Sequence, residues 1–461
     1  MATQTRTRLQ VLRRRPRQYQ WAKSLCGDLL AFLIGLANCY TLKLVGDIPF
    51  CELILIPVIP LLLIVNRNRL KLHRRKLGIV LSLLLLWLLG QIVTDIYRSS
   101  AFEDWIRGNA SIFFYFLDII GMTLLLKGNV HRQLVLYFGL GISYALIPRF
   151  QPDLDALASF KFAYAWSITY LATLVSCYFY KKHQFSFVGL LFLACIGANL
   201  IFNRSIVLML FVTICLVLPV IPEHIGRLRL LPPAQTQSRV VTIIGIVLVA
   251  GAVAGEGMSA LAASGTLGYA AQQKNQNQTM AGWGLLIGGR PEILVSSQAV
   301  IDSPILGHGS WARDPKYIEM LAQIEAENGM QATDEEEKFG GIIPAHSHLM
   351  GAWVLAGILG AVFWIYLLTQ TVKATVRSAM LQLTTAPAYI LLLVRLAWDI
   401  LFSPFGAYSR LSESFIIVII CDLLDPDSKI SSVIVPVFQR ARIPVRTRNL
   451  GRVSSRIRGR F

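Results

Sequence analysis

Three residues of this chain carry side chains suited to chemistry on an anion. Arg204 and Arg290 supply planar guanidinium groups, which bind phosphate oxygens in pairs, and His346 supplies an imidazole that exchanges protons near neutral pH. Arg290 and His346 lie on the one long polar loop of the chain, and Arg204 lies in a short turn between two apolar segments. Two arginines could hold a diphosphate and stabilise it as a leaving group while the histidine takes a proton. The pattern predicts chemistry on an anionic substrate that is carried by a lipid.

The composition indicates which elements must position these residues. Of 461 residues, 54% are hydrophobic and only 15% are charged, so the chain is too apolar for a soluble globule. A membrane-spanning helix needs roughly 20 mostly apolar residues. We therefore expect an all-α polytopic membrane protein with about twelve transmembrane helices. The predicted spans are 24–44, 50–66, 77–96, 110–126, 133–149, 162–180, 185–202, 205–222, 240–257, 349–370, 385–403 and 411–424.

The distribution of lysine and arginine predicts the orientation. These residues crowd the N-terminal tail, the loop 67–76 and the C-terminal tail, which all lie on the cytoplasmic side if the N-terminus is inside, as the positive-inside rule requires. Both termini are then cytoplasmic. The net charge of +18 is assigned to binding of anionic lipid headgroups rather than nucleic acid. The expected organisation is a basic tail (1–23), nine spans (24–257), one large extracytoplasmic, periplasmic loop (258–348), three spans (349–424) and a basic tail (425–461).

Only the loop 258–348 is long enough to form a structure of its own. Pro291 suits the first turn of a helix that should lie along the membrane surface and stop at Ser303 and Pro304. A second helix is expected at about 315–326. The seven cysteines lie in or at the edge of apolar spans, so neither a disulfide framework nor a zinc spacing is present. The predicted apolar face of the first loop helix consists of Ile293, Leu294, Ala299, Val300 and Ile301.

Each candidate residue also has a purely structural interpretation. Arg204, in a short turn between the seventh and eighth spans, could reach lipid headgroups from the interface. Arg290 stands at a helix start, where backbone N–H groups favour an anion, but it could be an ordinary solvated loop arginine. His346 could hydrogen-bond the backbone at the start of the next span. His348 and His308 are weaker candidates, and the Gly-His-Gly-Ser setting of His308 predicts a tight turn.

Three strings around these residues match one set of motifs. GGRPEILVSSQAVIDSPILGHG contains Gly-Arg, a short helix and Pro-Ile-x-Gly-x-Gly; HSHLMGAWVLAGILG contains His-Ser, a run of apolar residues and Gly-Ile-Leu-Gly; and IFNRSIVLML contains Arg-Ser-x-x-Leu. In their order and spacing they resemble the O-antigen ligase and polymerase family of bacterial envelope enzymes. The resemblance covers about 203–360, whereas the first half of the chain agrees only in hydropathy.

The chain departs from the family pattern at a few positions. Asn203 stands where the family usually has serine, Ser347 stands where it often has asparagine, and a tryptophan common shortly after the loop arginine is absent. Arg204, Arg290 and His346 match the pattern. The departures bear on the subfamily rather than on the family.

The resemblance implies an integral-membrane glycosyltransferase of the bacterial inner membrane that needs no cofactor. Its donor would be a glycan on undecaprenyl diphosphate, bound by Arg204 and Arg290, and His346 would take the proton of the acceptor hydroxyl or orient it. The acceptor would be another lipid-linked repeat in a polymerase, the lipid A-core in a ligase, or a protein hydroxyl. We favour a polymerase of surface polysaccharide, because the first half shows no ligase-specific feature. A chain-length regulator or a flippase would be a protein partner.

Two other classes of protein stay open. A transporter or flippase of lipid-linked glycan would also be polytopic and cationic, and a structural subunit of an envelope assembly needs no chemistry at all. Transporters more often show paired half-repeats and broken helices near the midplane. This chain instead concentrates its polar residues in one outer loop, which favours the enzyme.

The remaining charged residues have structural alternatives. His346 and His348 with the acidic run 334–337 could ligate a divalent cation, but such a run is usually a solvated face, so no metal is expected. Within the eleventh span, Arg395 and Asp399 are one helical turn apart and should neutralise one another. Three aspartates near or inside spans could line a cavity for acceptor sugars or could pair with other side chains; they are Asp28, Asp95 and Asp118.

Overall fold

A computed structural model describes the segments 17–44, 46–71, 74–151, 154–200, 203–218, 290–327, 340–381 and 383–425, together with positions 245, 257, 259–266, 268 and 272. The structure is mostly helical (81%), and the named strands of the described segments are only two, each of three residues, so the fold is all-α. The C-terminal tail beyond 425, the acidic run 334–337 and nearly all of the predicted span 240–257 lie outside the described residues.

Short connections join the described helices, except between Val217 and Glu292 and between Glu327 and His348. A π-helical turn at Phe160–Tyr164 lies between the helices Ala156–Ser159 and Ala165–Lys181. In chain order the elements are α1 Arg17–Ala37, β1 Thr41–Lys43, β2 Asp47–Pro49, α2 Phe50–Lys71, α3 Arg74–Arg98, α4 Phe102–Leu126, α5 Val130–Phe150, α6 Ala156–Ser159, α7 Ala165–Lys181, α8 Phe185–Asn199, α9 Arg204–Val217, α10 Glu292–Asp302, α11 Pro315–Glu327, α12 His348–Ala356, α13 Ile358–Leu381, α14 Ala386–Phe402 and α15 Ala407–Leu424.

Five helical stretches of the described chain are long and apolar enough to cross a membrane. At a rise of about 1.5 Å per residue, a helix of this length spans a hydrocarbon layer about 30 Å thick. The stretches are Lys76–Arg98, Phe102–Leu126, Val130–Phe150, Ala156–Lys181 and Ile358–Leu381, and the shorter apolar helices are Leu25–Ala37, Phe50–Asn66, Phe185–Asn199 and Arg204–Val217. The fold is therefore that of an all-α membrane protein.

The first helix ends earlier than the apolar pattern predicts. The pattern predicts a span over 24–44, but α1 ends at Ala37 and an antiparallel hairpin follows, in which Thr41 lies opposite Pro49. The hairpin is held from a distant part of the chain, because Arg410 donates a hydrogen bond to the Asp47 carbonyl over 3.3 Å. A local pattern could not reveal this contact.

The predicted span 349–370 is interrupted at Gly357, which separates α12 from α13. Gly357 has a φ of 64°, in the left-handed region that favours glycine. The loop docks into this break, since the backbone N–H of Ile358 donates to the Ile305 carbonyl over 3.2 Å. A single uninterrupted helix is therefore wrong at this position.

The two helices predicted in the loop are confirmed. They are α10, which ends just before Ser303, and α11, which begins at Pro315. Val295 and Ala299 of α10 are buried in a small core with Val354 of α12. Of the predicted apolar face, Ala299 and Val300 are buried, Ile293 and Leu294 are partly buried, and Ile301 is 68% exposed.

Candidate functional site

The arginine of the loop motif is held against the C-terminal end of α14. The Arg290 Nη1 group donates to the Phe402 carbonyl, and the guanidinium lies 5.2 Å from the ring centroids of Trp398 and Phe402. The last carbonyls of a helix lack intrahelical partners and form the negative end of its dipole, so they attract a cation. Arg290 is therefore not an ordinary solvated loop arginine.

The charge and the remaining N–H donors of the Arg290 guanidinium suit it to binding an anion. Partial burial lowers the pKa of its guanidinium, while the carboxylates of Glu292 and Asp399 act in the opposite direction. Arginine nevertheless stays cationic. Among the described residues, the one hydrogen bond of its guanidinium is that to the Phe402 carbonyl. A guanidinium has five N–H donors, so the group is oriented by stacking and one bond and keeps donors for a ligand.

The histidine motif is anchored to the same helical turn of α14. His346 is half-buried and directly precedes Ser347, the N-cap of α12. The Ser347 hydroxyl accepts from the Met350 N–H over 3.1 Å and donates to the Ile400 carbonyl over 2.8 Å. Since Ile400 and Phe402 are two residues apart, the structure brings Arg290 and the segment that carries His346 to one helix end.

Arg204 is the first residue of α9 and follows the residue that caps this helix. The Asn203 side chain caps α9 by accepting from the Ile206 N–H over 3.5 Å. Serine and asparagine are both good N-cap residues, and Ser347 caps α12 in the same way by accepting from the Met350 N–H. Arg204 is half-buried at this helix start.

Lys161 is a further cation that the sequence analysis did not single out. Its carbonyl accepts from Asn203 Nδ2 over 3.0 Å, and its ammonium lies within electrostatic range of Arg290. It belongs to the π-helical turn Phe160–Tyr164, and such turns often mark functional sites. The Lys161 backbone is thus bonded to the residue that caps α9, next to Arg204. The only signal in the sequence is one lysine at the edge of an apolar segment.

Glycines allow the two motif strings to dock backbone to backbone. The His308 N–H donates to the Val354 carbonyl over 2.7 Å, and the Gly309 N–H donates to the Leu355 carbonyl over 3.0 Å. Gly307 has a φ of 80°, and a β-carbon there would lie 2.6 Å from the Gly357 nitrogen. Glycine is required at this crossing because a side chain would collide with backbone.

Two side chains at the C-terminal end of α3 bind the loop where the two motif strings are in contact. Arg98 donates to the Gly307 carbonyl through Nε over 3.1 Å and through Nη2 over 2.9 Å. Asp95 accepts from the Ser310 N–H over 2.6 Å and from its hydroxyl over 2.7 Å. Asp95 therefore pairs with loop groups rather than lining a sugar cavity. Asp28 also pairs, with Arg132 Nε at 3.1 Å.

The weaker histidine candidates have structural partners. His308 Nε2 lies 2.8 Å from the Ala299 carbonyl, which can only accept, so this nitrogen carries the proton. His348 is 1% exposed, with Nδ1 2.6 Å from the Ser403 carbonyl and Nε2 2.7 Å from Glu413 Oε1. Both ring nitrogens of His348 are occupied, so this residue is not placed to touch a substrate.

The predicted pair of Arg395 and Asp399 is confirmed, with Nε 3.3 Å from Oδ2. Arg395 also donates to the Tyr170 hydroxyl over 2.7 Å and lies 4.2 Å from the Trp166 ring centroid. In the part of the chain that the structure describes, no group of three His, Cys, Asp or Glu side chains is arranged to hold a metal ion.

No family model matches the chain, and no curated protein is significantly similar to it. A proposal for its function must therefore rest on the motifs and on the geometry that they adopt.

Proposed function

We propose that the chain is an integral-membrane glycosyltransferase of the kind its motifs resemble. It transfers a glycan from undecaprenyl diphosphate to an acceptor hydroxyl on the outer face of the bacterial inner membrane. The observation that carries this proposal is the meeting of two motifs at one helix end, where Arg290 binds the Phe402 carbonyl and Ser347 binds the Ile400 carbonyl. A diphosphate-binding cation and the segment with the candidate base His346 are thereby brought to one place.

The proposed chemistry follows from these groups. His346 takes the proton of the acceptor hydroxyl as its oxygen attacks the anomeric carbon. The bond from that carbon to the diphosphate oxygen breaks, and the electron pair leaves with undecaprenyl diphosphate. Arg290 and Arg204 stabilise the charge on the leaving group, with about 1.5–3 kcal/mol for each charge-assisted bond. Attack opposite the leaving group inverts the anomeric carbon.

The proposed topology has twelve spans, both termini in the cytoplasm and the segment 258–348 outside. Two sets of contacts support it. Arg98 at the end of α3 binds the Gly307 carbonyl of the loop, so these groups share one side of the bundle. At the start of α5, Arg132 pairs with Asp28 of α1. Because α4 connects the end of α3 to the start of α5, these two sets of contacts lie on opposite sides of the bundle. The twelve-span order requires the same arrangement.

Analysis of glycolipids in a deletion strain tests the proposal. Single repeat units that accumulate on lipid at the outer face would support the polymerase, which we favour. Full-length polymer on lipid without transfer to the lipid A-core would instead support the ligase. Accumulation on the cytoplasmic face would overturn the glycosyltransferase and support a flippase. The His346→Ala variant should reproduce the deletion phenotype, since it removes only the candidate base.

A further inference from the structure

A second set of charged side chains is buried among four helices. Its members are at most 3% exposed. They comprise three carboxyl groups, one guanidinium and one imidazole, so the carboxyls outnumber the cations. An uncompensated charge inside a membrane protein is costly. The cluster must therefore hold protons. It consists of Glu52 on α2, Asp118 on α4, His348 on α12, and Arg410 and Glu413 on α15.

Glu52 is the carboxylate that Arg410 neutralises. Arg410 Nε lies 2.7 Å from Glu52 Oε1 and Nη2 lies 2.9 Å from Oε2, a bidentate geometry that requires an ionised carboxylate. Arg410 Nη1 also donates to the Ser111 hydroxyl over 3.0 Å. The one guanidinium of the cluster is thus committed to Glu52.

Asp118 lies beside Glu52 without a cation of its own. Leu55 of α2 packs directly on Gly121 of α4, and Glu52 and Asp118 lie one helical turn before these two residues, so the two carboxyls are neighbours. Asp118 is fully buried, and neither of its oxygens accepts a hydrogen bond from any described residue. Two ionised carboxylates would present only acceptors to each other. A proton on Asp118 removes the repulsion and provides an O–H donor for Glu52.

His348 and Glu413 hold a second proton. Because the Ser403 carbonyl can only accept, His348 Nδ1 carries a hydrogen. A proton must also lie between Nε2 and Glu413 Oε1, which are 2.7 Å apart. The pair is then electrically neutral overall. The Trp364 ring, with its centroid 4.8 Å from that of the imidazole, covers the histidine.

Tyr115 lies between these two groups. It is three residues before Asp118, on the same face of α4. Its ring centroid lies 6.2 Å from that of Trp364 and 5.3 Å from that of Phe405, and both of these rings also contact His348. The hydroxyl and Glu413 Oε2 are both buried, and neither forms a hydrogen bond within the described part of the chain. A hydroxyl can accept one proton while it donates another, so Tyr115 is suited to transfer between the two carboxyls.

We propose that Asp118, Tyr115 and the His348–Glu413 pair form a buried proton relay with two proton-binding sites. In the transfer step, Asp118 gives its proton to the Tyr115 oxygen as the Tyr115 hydroxyl gives its own to Glu413 Oε2, and the reverse step restores both groups. Chains of Asp, Glu and His inside membranes serve as proton relays. The relay ends at His348, two residues from His346, and does not depend on the proposed glycosyl transfer.

Infrared difference spectroscopy of the full chain in lipid nanodiscs at neutral pH tests the first site. The difference between wild type and Asp118→Asn should show loss of a protonated carboxyl band. The control Asp28→Asn should show loss of an ionised carboxylate band, since Asp28 pairs with Arg132. Loss of an ionised band in Asp118→Asn would overturn the proposal.

Thermal unfolding gives an independent measure of the same site. Asparagine mimics a protonated aspartate, so Asp118→Asn should keep the wild-type Tm. Glu52→Gln should lower the Tm by several degrees, because it leaves Arg410 buried without its carboxylate. A fall in Tm as large for Asp118→Asn as for Glu52→Gln would mean that Asp118 is ionised.

The relay itself is tested by the rate at which the Asp118 carboxyl band shifts after transfer into D₂O. Tyr115→Phe should slow this exchange. The control Tyr137→Phe removes a different fully buried hydroxyl, one that bonds to Thr173, and should leave the rate unchanged. Exchange at the wild-type rate in Tyr115→Phe would exclude Tyr115 from the path.

Discussion

The carbonyl oxygen of Ile305 lies where a side chain on Gly357 would begin, since a β-carbon built there would be 1.9 Å from it. The same carbonyl accepts the Ile358 N–H over 3.2 Å. The loop and the break between α12 and α13 are thereby locked together. Both motif strings depend on this contact for their relative position.

We expect Gly357→Ala to destabilise the loop. The left-handed backbone alone costs about 1–2 kcal/mol for an L-residue, and the collision with Ile305 adds to it. The control is Gly351→Ala in the same α12, where the nearest atom to a β-carbon is 3.9 Å away. This change should raise helix stability by about 1 kcal/mol. Thermal unfolding of the two variants measures both effects. Equal Tm values would contradict the close contact between Ile305 and Gly357.

His346→Ala and His348→Ala should fail in different ways. We expect His346→Ala to lower turnover by about 10²–10⁴-fold, the range for loss of a general base. His348→Ala leaves Glu413 buried without its partner and should cost about 3–5 kcal/mol in unfolding free energy. Transfer of a labelled lipid-diphosphate glycan and thermal unfolding of the purified variants measure both. Near wild-type turnover in His346→Ala would remove its assignment as the base.

Arg290→Ala should weaken binding of the diphosphate-linked donor. The loss of a charge-assisted bond worth about 1.5–3 kcal/mol corresponds to about 10–150-fold in Kd. Lysine should rescue binding only partly, because it lacks the bidentate fork. Arg204→Ala should behave in the same way. Arg313→Ala is the matched loop control, since Arg313 pairs with Asp104 on α4. Unchanged donor affinity in both Arg290→Ala and Arg204→Ala would leave the diphosphate site without support.

Cysteine labelling should place α11 outside and the start of α5 inside. Glu319→Cys, on an exposed position of α11, should react with an impermeant maleimide in intact cells. His131→Cys, with a native side chain 75% exposed, should react only after permeabilisation. Both belong in a Cys26→Ser background because Cys26 is the exposed cysteine among the described residues. The opposite pattern would invert the topology.

Features that depend on neighbours a few residues away could be predicted from the sequence. Pro291 and Pro315 mark the starts of the loop helices, and both helices form. Arg395 and Asp399 are four residues apart on α14 and pair as expected. The apolar composition was enough to indicate a helical membrane protein. In each case the physical cause is local, either helix periodicity or a side chain one turn away.

Roles that depend on distant partners were decided only by the tertiary structure. Asp95 holds Ser310 across 215 residues, Arg290 binds Phe402 across 112, and His348 meets Glu413 across 65. Gly357 interrupts a helix because the Ile305 carbonyl enters from the loop. The residues next to a carboxyl or an imidazole in the sequence do not show which distant residue it pairs with. Burial and pairing nevertheless set its protonation state and its role. The local pattern therefore determined most of the helices, and long-range packing determined the break at Gly357 and the partners of the buried charged side chains.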